Sequence, residues 1–294
     1  MDEVALWLQK KGIPFQCEVS GSKLTTFGSG GPVRRLILPR DVSDLVEVRR
    51  FLSEQGEPCR VIGGGSNLLL PDEGYRGALL ALTAFRSIER SGEVLTVGAG
   101  VKLPLLAKTA KQECLSGVEF SVGIPGTLGG AVKTNAGAFG QMLSDSLTEV
   151  TLLSAEGDTV TLPASELKFA YHECALPQGM IVLGAKLRLH PADRISIDRL
   201  MTEMTERRRA TQPRERSAGS VFRKINGIPA ALLIEQTGLK GMRIGGAELS
   251  RVHCNFIVNK GGATTADFFA VAEKVKECVA SRFGVTAEYE VERC

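Results

Sequence analysis

Two glycine-rich segments carry the most specific chemistry in the chain. Gly63-Gly64-Gly65-Ser66-Asn67 directly follows CRVI (59–62), a run that reads as a buried strand. Gly123-Ile124-Pro125-Gly126-Thr127-Leu128-Gly129-Gly130-Ala131 holds four glycines and a proline in nine positions, and Asn135-Ala136-Gly137 follows closely. Without side chains between them, successive backbone N–H groups can approach phosphate oxygens. The first loop is neither GxGxxG nor a Walker A sequence, so it reads equally as a phosphate cradle or an ordinary turn. The second is harder to explain by structure alone, because each glycine costs backbone entropy on folding. Together they suit a large flat ligand with a diphosphate.

Other groups are less decisive. Tyr171 packs on a ligand or in a core. His172 with Cys174, and His253 with Cys254, lack the spacing and companions of a zinc site, so no metal is expected. Arg207, Arg208 and Arg209 form a helical run that usually faces solvent. Lys240 and Arg243 flank a glycine turn that frames a pocket or is merely structural.

The elements that must hold these groups follow from periodicity. Residues 2–11 read as a helix with Val4, Leu6, Trp7 and Leu8 on one side. Segment 41–56 reads as a helix with Ser43 as N-cap and Gly56 as stop. Flanked by strands at 35–39 and 59–62, it makes a β-α-β unit whose second strand ends in the first glycine loop. Segment 103–115 reads as a helix with Leu103, Leu106, Ala107, Ala110 and Cys114 inward. Strands are expected at 24–27, 78–82, 86–90 and 93–100, and hairpin-like pairs around 146–162 and 180–190. Segment 117–140 is too rich in glycine for a regular element. Beyond His190 the texture changes to helices at 193–212, 228–238 and 264–284, with a closing strand after 284. The main boundary falls near 190.

Composition excludes several classes. Hydrophobic residues are 43% and charged residues 23% of 294, as in ordinary globular chains. A net charge of +3 and 5% aromatics give no reason to expect a nucleic-acid partner. The longest stretch free of Asp, Glu, Lys and Arg, Phe120 to Val132, is too short to insert in a membrane. Seven cysteines without a CxxC pair fit reduced thiols in a cytoplasm.

In order, TTFGSGGP (25–32), VIGGGSNLLL (61–70), GVEFSVGIPGTLGGAVKTNAGAFG (117–140), QPRERSAGSVF (212–222), LIEQTGLKGMRIGGAELS (233–250) and EYEVER (288–293) resemble the UDP-N-acetylenolpyruvoylglucosamine reductases, in their shorter type. The resemblance implies an α+β chain. Residues 1–190 would form an FAD-binding region of the PCMH/vanillyl-alcohol-oxidase type, in two subdomains split near 84. Residues 191–294 would form a substrate-binding α+β domain whose last strand returns to the active site. It also implies noncovalent FAD, NADPH as co-substrate, a UDP-sugar substrate and a role in bacterial peptidoglycan synthesis; a monomer is expected. Gly63, Gly64, Gly65, Ser66, Asn67, Gly123, Pro125, Gly126, Thr127, Gly129, Gly130, Ala131, Asn135, Ala136 and Gly137 would surround the FAD. Tyr171, Arg207 and Lys240 would meet substrate. Ser220 would supply the proton, and Glu290 would polarise the enolpyruvyl group; strand alternation alone does not distinguish Glu290 from Glu288 or Glu292.

One position departs from the family pattern Tyr-Arg-x-Ser. Here the segment is Tyr171-His172-Glu173-Cys174. A guanidinium is always charged and can grip a carboxylate bidentately, whereas an ordinary imidazole titrates near pH 6.5. Either His172 is kept cationic in the substrate site, or one of Arg207, Arg208, Arg209 and Arg214 substitutes, or catalysis is slow. The other readings are an FAD oxidoreductase acting on another small substrate, and a catalytically retired flavoprotein.

Overall fold

The computed structural model describes residues 2–294, with the mixed helix and strand content expected of an α+β chain. Two units are distinguished. The first comprises residues up to Phe15, Leu36–Gly64 and Ala78–Arg208; the second comprises Gln16–Arg35, Gly65–Gly77 and Arg209–Cys294.

The first unit opens with α1, Glu3–Lys11, capped by the Asp2 carboxylate on the Ala5 N–H and stopped by Gly12 at φ 66°. Its buried face is Val4, Ala5 and Leu8, while Leu6 is 53% exposed. The expected apolar side is thus corrected: i, i+4 spacing sends 4 and 8 inward and turns Leu6 out. Helix α2, Val42–Glu54, is capped by Asp41 rather than Ser43, the Asp44 N–H reaching the Asp41 carboxylate at 2.9 Å. The strand Cys59–Ile62 then runs parallel to residues 78–81, as a β-α-β unit requires.

A five-stranded antiparallel sheet has the order Thr159–Pro163, Leu147–Leu153, Ile181–Arg188, Val94–Gly98, Ile88–Ser91. Ile181–Arg188 is its central strand, not a hairpin of its own. Against it lie α3, Leu103–Gln112, and α4, Leu128–Lys133. Two expectations fail here. Cys114 is exposed at φ 55°, because α3 ends two residues earlier. The segment taken as irregular contains a 3-10 turn, Glu119–Gly123, and α4. A Cβ on Gly129 would sit 3.1 Å from Ala99 Cβ, so glycine lets this short helix press against the end of a strand. Helix α5, Arg194–Thr211, buries only Ile197 and Met201.

The second unit has a four-stranded antiparallel sheet in the order Arg216–Ser220, Phe256–Asn259, Ala247–Leu249, Arg243–Ile244. Helix α6 is Ala230–Gln236; α7 is Thr265–Phe283, opened by a capping box of Thr264 and Asp267. Phe27, Leu69, Phe222, Phe268, Val271, Val275 and Val279 form its core. No strand occupies residues 24–27. Thr25 Oγ1 donates to Ser29 O at 3.0 Å and the chain turns there, the strand being Phe15–Ser20. Nor is the C-terminal segment a continuous strand. Only Glu292–Arg293 pairs, parallel to Leu68–Leu69, with one isolated bridge between Tyr289 and Phe222.

Candidate active site

In the first unit the glycine segments meet main chain to main chain. A Cβ on Gly64 would lie 2.7 Å from Gly126 Cα, and one on Gly63 would lie 2.6 Å from Thr127 Oγ1. A side chain at Gly64 would collide with the backbone of the other loop, and one at Gly63 with the Thr127 hydroxyl. Beside this contact is a cavity of about 460 Å³, lined in part by Gly63, Ala99, Gly100, Thr127, Gly129 and Gly130. Arg49, Arg60 and Lys133 supply positive charge to its wall, and Ile62, Leu80, Leu82 and Val182 supply apolar surface. A Cβ on Gly130 would meet only Thr127 Oγ1, at 3.9 Å, so that side is open. Cations for a diphosphate, main chain free of side chains and apolar walls for flat rings fit FAD in chemistry.

The other residues expected around the cofactor divide in their roles. Pro125 is exposed, and Ala131 is buried with its N–H on Thr127 O. Asn135 is 1% exposed at φ 41°; its Nδ2 donates to Ala170 O at 2.8 Å, and its Oδ1 accepts from the Ser144 N–H at 3.1 Å. Its side chain is therefore a structural tie. Ala136 donates its N–H to Ala131 O, and a Cβ on Gly137 would lie 2.5 Å from Gln141 O.

The Asn135 tie holds the turn that carries the departing histidine. Ala170 and Glu173 exchange N–H···O bonds of 3.0 and 3.2 Å around Tyr171-His172. His172 has φ 53°, uncommon for a residue with a Cβ, and its ring lies 4.4 Å from that of Tyr171, which is 48% exposed. Nearby, burial pushes the Cys174 thiol up to about 11. Among the described residues no group of three or more His, Cys, Asp or Glu is placed to hold a metal.

In the second unit Ser220 ends the strand Arg216–Ser220, opposite Phe256, after an irregularity at Gly219, φ 80°. The next residue, Val221, accepts the Glu290 N–H at 2.8 Å. Ser220 and Glu290 therefore sit one pairing step apart on neighbouring segments, both half-buried, while Glu288 is exposed. The Phe222 and Tyr289 rings stack alongside at 5.4 Å. Tyr289 donates its O–H to Glu273 at 2.7 Å, and burial together with that carboxylate raises its pKa far above the ordinary phenol value.

The second half of the first glycine loop supports this pair. Asn67 Nδ2 donates to Glu290 O at 3.0 Å. A Cβ on Gly219 would lie 3.8 Å from Ser66 O, and Gly65 at φ 62° leaves no room for one, with Leu24 O at 1.9 Å. Lys240 is exposed and ion-paired with Glu235 of α6. Arg207 is exposed, with its guanidinium 5.4 Å from the centre of the Phe139 ring. Arg208, one of the four arginines offered as a substitute, is half-buried, which the sequence of α5 does not signal because it shows no apolar periodicity that would mark an inward face.

Residues 33–163 match the FAD binding domain family, and residues 212–294 match the UDP-N-acetylenolpyruvoylglucosamine reductase C-terminal domain family. UDP-N-acetylenolpyruvoylglucosamine reductase of Prochlorococcus marinus (strain NATL2A) is 38% identical over 286 residues, 96% of this chain and 98% of that protein. The protein of the same name from Anaeromyxobacter dehalogenans (strain 2CP-1) is 42% identical over 264 residues, 89% of this chain and 80% of that one. The crystal structure of UDP-N-acetylenolpyruvylglucosamine reductase from Thermus caldophilus superposes with a TM-score of 0.82 at 35% identity, covering 96% of this chain and 98% of that one. With its FAD-binding fold and its C-terminal domain both accounted for, the chain belongs to the UDP-N-acetylenolpyruvoylglucosamine reductase family of flavin oxidoreductases.

Proposed function

We propose that this chain reduces UDP-N-acetylenolpyruvylglucosamine to UDP-N-acetylmuramate with NADPH, in the bacterial cytoplasm, for peptidoglycan precursor synthesis. FAD bound noncovalently supplies the hydride to the enolpyruvyl double bond. Residues 1–190 serve FAD binding and residues 191–294 serve the UDP-sugar.

Hydride arriving at one alkene carbon leaves negative charge on the other, conjugated with a carboxylate. Ser220 donates the proton that quenches it. Glu290 polarises the same group, and the Asn67 bond to its main chain fixes the segment that carries it. His172 supplies positive charge to the substrate carboxylate, presented on the turn that Asn135 secures. Gly63 to Asn67 and Gly123 to Ala131, with Asn135 to Gly137, surround the cofactor largely through main chain; Tyr171, Arg207 and Lys240 meet substrate.

The observation that supports this reading is the Glu290 N–H to Val221 O bond, which pairs the segment carrying Glu290 with the residue after Ser220. Purified protein should be yellow and oxidise NADPH only when UDP-N-acetylenolpyruvylglucosamine is added. Colour without substrate-dependent turnover supports the retired flavoprotein that His172 suggests. Protein that stays colourless with excess FAD removes both readings.

A further inference from the structure

Ser220 lies between an irregular stretch of main chain and a tightly bonded one. Behind it, the pairing of Arg216–Ser220 with Phe256–Asn259 loses register between Ser217 and Ser220, where Gly219 has φ 80°. Ahead of it, the chain is bonded on both sides. On one side Val221 O accepts the Glu290 N–H at 2.8 Å, and the Arg223 N–H donates to Glu288 O at 3.0 Å. On the other the Val221 N–H donates to Asn255 O at 2.9 Å. The Asn255 side chain then takes both main-chain polar groups of the next residue. Its Oδ1 accepts the Phe222 N–H at 3.0 Å, and its Nδ2 donates to Phe222 O at 2.8 Å.

Asn255 is 6% exposed, and burying an amide is costly unless its groups are matched. Its own N–H donates to His253 Nδ1 at 3.2 Å. The side chain thus does the work of one more strand residue at the point where the sheet pairing ends. An apolar residue there would leave the Phe222 N–H and C=O, in the core of the second unit, without those partners. We propose that Asn255 is a positioning residue for Ser220: its amide fixes the main chain two residues beyond the serine, and with it the direction of the hydroxyl.

This rests on the reading of Ser220 as the proton donor. A serine hydroxyl is a weak acid, so its usefulness depends on being aimed at the carbon that carries the charge. Displacing a reacting group by about 1 Å can cost roughly a hundredfold in rate. The irregularity at Gly219 leaves that aim to be set from the 221–222 side, where Asn255 acts. Hydride transfer from NADPH to the flavin needs no proton from Ser220. The two half-reactions therefore separate a positioning role from a general weakening of the fold.

The test uses the FAD-loaded protein and follows the flavin spectrum through each half-reaction. Asn255→Ala should be reduced by NADPH at a rate within about twofold of wild type, while reoxidation by UDP-N-acetylenolpyruvylglucosamine slows by about tenfold or more. In a Ser220→Ala background the same substitution should slow reoxidation by less than about twofold, because its effect passes through the hydroxyl. Asn255→Asp keeps the size of the side chain. Ionised, it offers no donor to Phe222 O; protonated, it restores both bonds, and burial favours the protonated form. Its reoxidation rate relative to wild type should therefore climb as pH falls from about 8 to about 5.5. Equal slowing of both half-reactions overturns the proposal, as does reoxidation within about twofold of wild type, or the full loss retained without the Ser220 hydroxyl. If Asn255→Ala does not fold, Asn255→Asp decides, and a ratio to wild type that stays flat with pH overturns the proposal. Ser220→Ala that reoxidises as fast as wild type removes the donor reading itself, and this proposal with it.

Discussion

The Glu290 N–H bonds to the carbonyl of Val221, immediately after Ser220, at 2.8 Å. The carboxylate-bearing residue and the hydroxyl-bearing residue are therefore set by one backbone pairing, and side-chain changes at either can leave the main chain intact. Ser220→Ala should lower kcat by about 10²- to 10⁴-fold, the usual contribution of a positioned proton donor. The flavin spectrum and the melting temperature should stay as in wild type. Steady-state kinetics beside a thermal melt checks this; a kcat within threefold rules Ser220 out as the donor.

Glu290→Gln keeps the backbone bond and removes the charge. Its effect should fall on kcat with KM little changed, since the interaction matters where charge develops in the transition state. An unchanged kcat would reassign the role to another acid.

His172→Arg should raise kcat/KM for the UDP-sugar by roughly tenfold, because a charge-assisted hydrogen bond contributes about 1.5–3 kcal/mol. His172→Ala should lower it. Equal rates across the three proteins would mean that position 172 does not meet the substrate.

Two glycines separate backbone strain from crowding. Gly56 has φ 63° and open space around it; Gly65 has φ 62° and Leu24 O where a Cβ would lie. Gly56→Ala should cost about 1–2 kcal/mol from the left-handed backbone alone. Gly65→Ala should cost more. Urea unfolding of both variants measures the difference, and equal midpoints would refute the crowding argument.

The Asp267 carboxylate accepts from the Thr264 and Gly246 N–H groups at 3.1 and 3.0 Å, and those bonds hold its pKa below the ordinary value. A carboxylate with a depressed folded pKa adds stability above its unfolded pKa, near 4, and loses it as pH falls through the folded value. Asp267→Ala should therefore cost about 1 kcal/mol at pH 7. The gap to wild type should narrow below about pH 4. A gap that is constant from pH 7 to pH 3 would show that the charge contributes nothing.

Much of this was legible in residues with local signals. The helix expected at 264–284 is α7, and α2 is legible through its apolar period, although its cap is Asp41 rather than Ser43. The glycine loops were visible too, but not their division of labour. Gly64 is glycine because Gly126 touches it, and Gly65 because of Leu24. Each cause lies tens of residues away, beyond any local window. For the same reason the ties that the Asn67 and Asn135 side chains make to Glu290 and Ala170 give no local signal. The apolar residues at 24–27 and after 284 resemble strands because they are buried, yet Thr25 and the bridge at Tyr289 satisfy the backbone otherwise.

The second unit is assembled from three separated stretches of chain. Phe27 and Leu69 pack among Phe222, Phe268 and Val271, and Asp72 caps α7 through the Thr265 and Ala266 N–H groups at 2.7 and 2.8 Å. Residues 212–294 cut out by themselves would leave that core holed and the Thr265 and Ala266 N–H groups without Asp72. They are not a transplantable module, and a chimera that swaps them between relatives must carry 16–35 and 65–77 along. On the ribosome, these two early stretches wait for the final helix before they have anything to pack against.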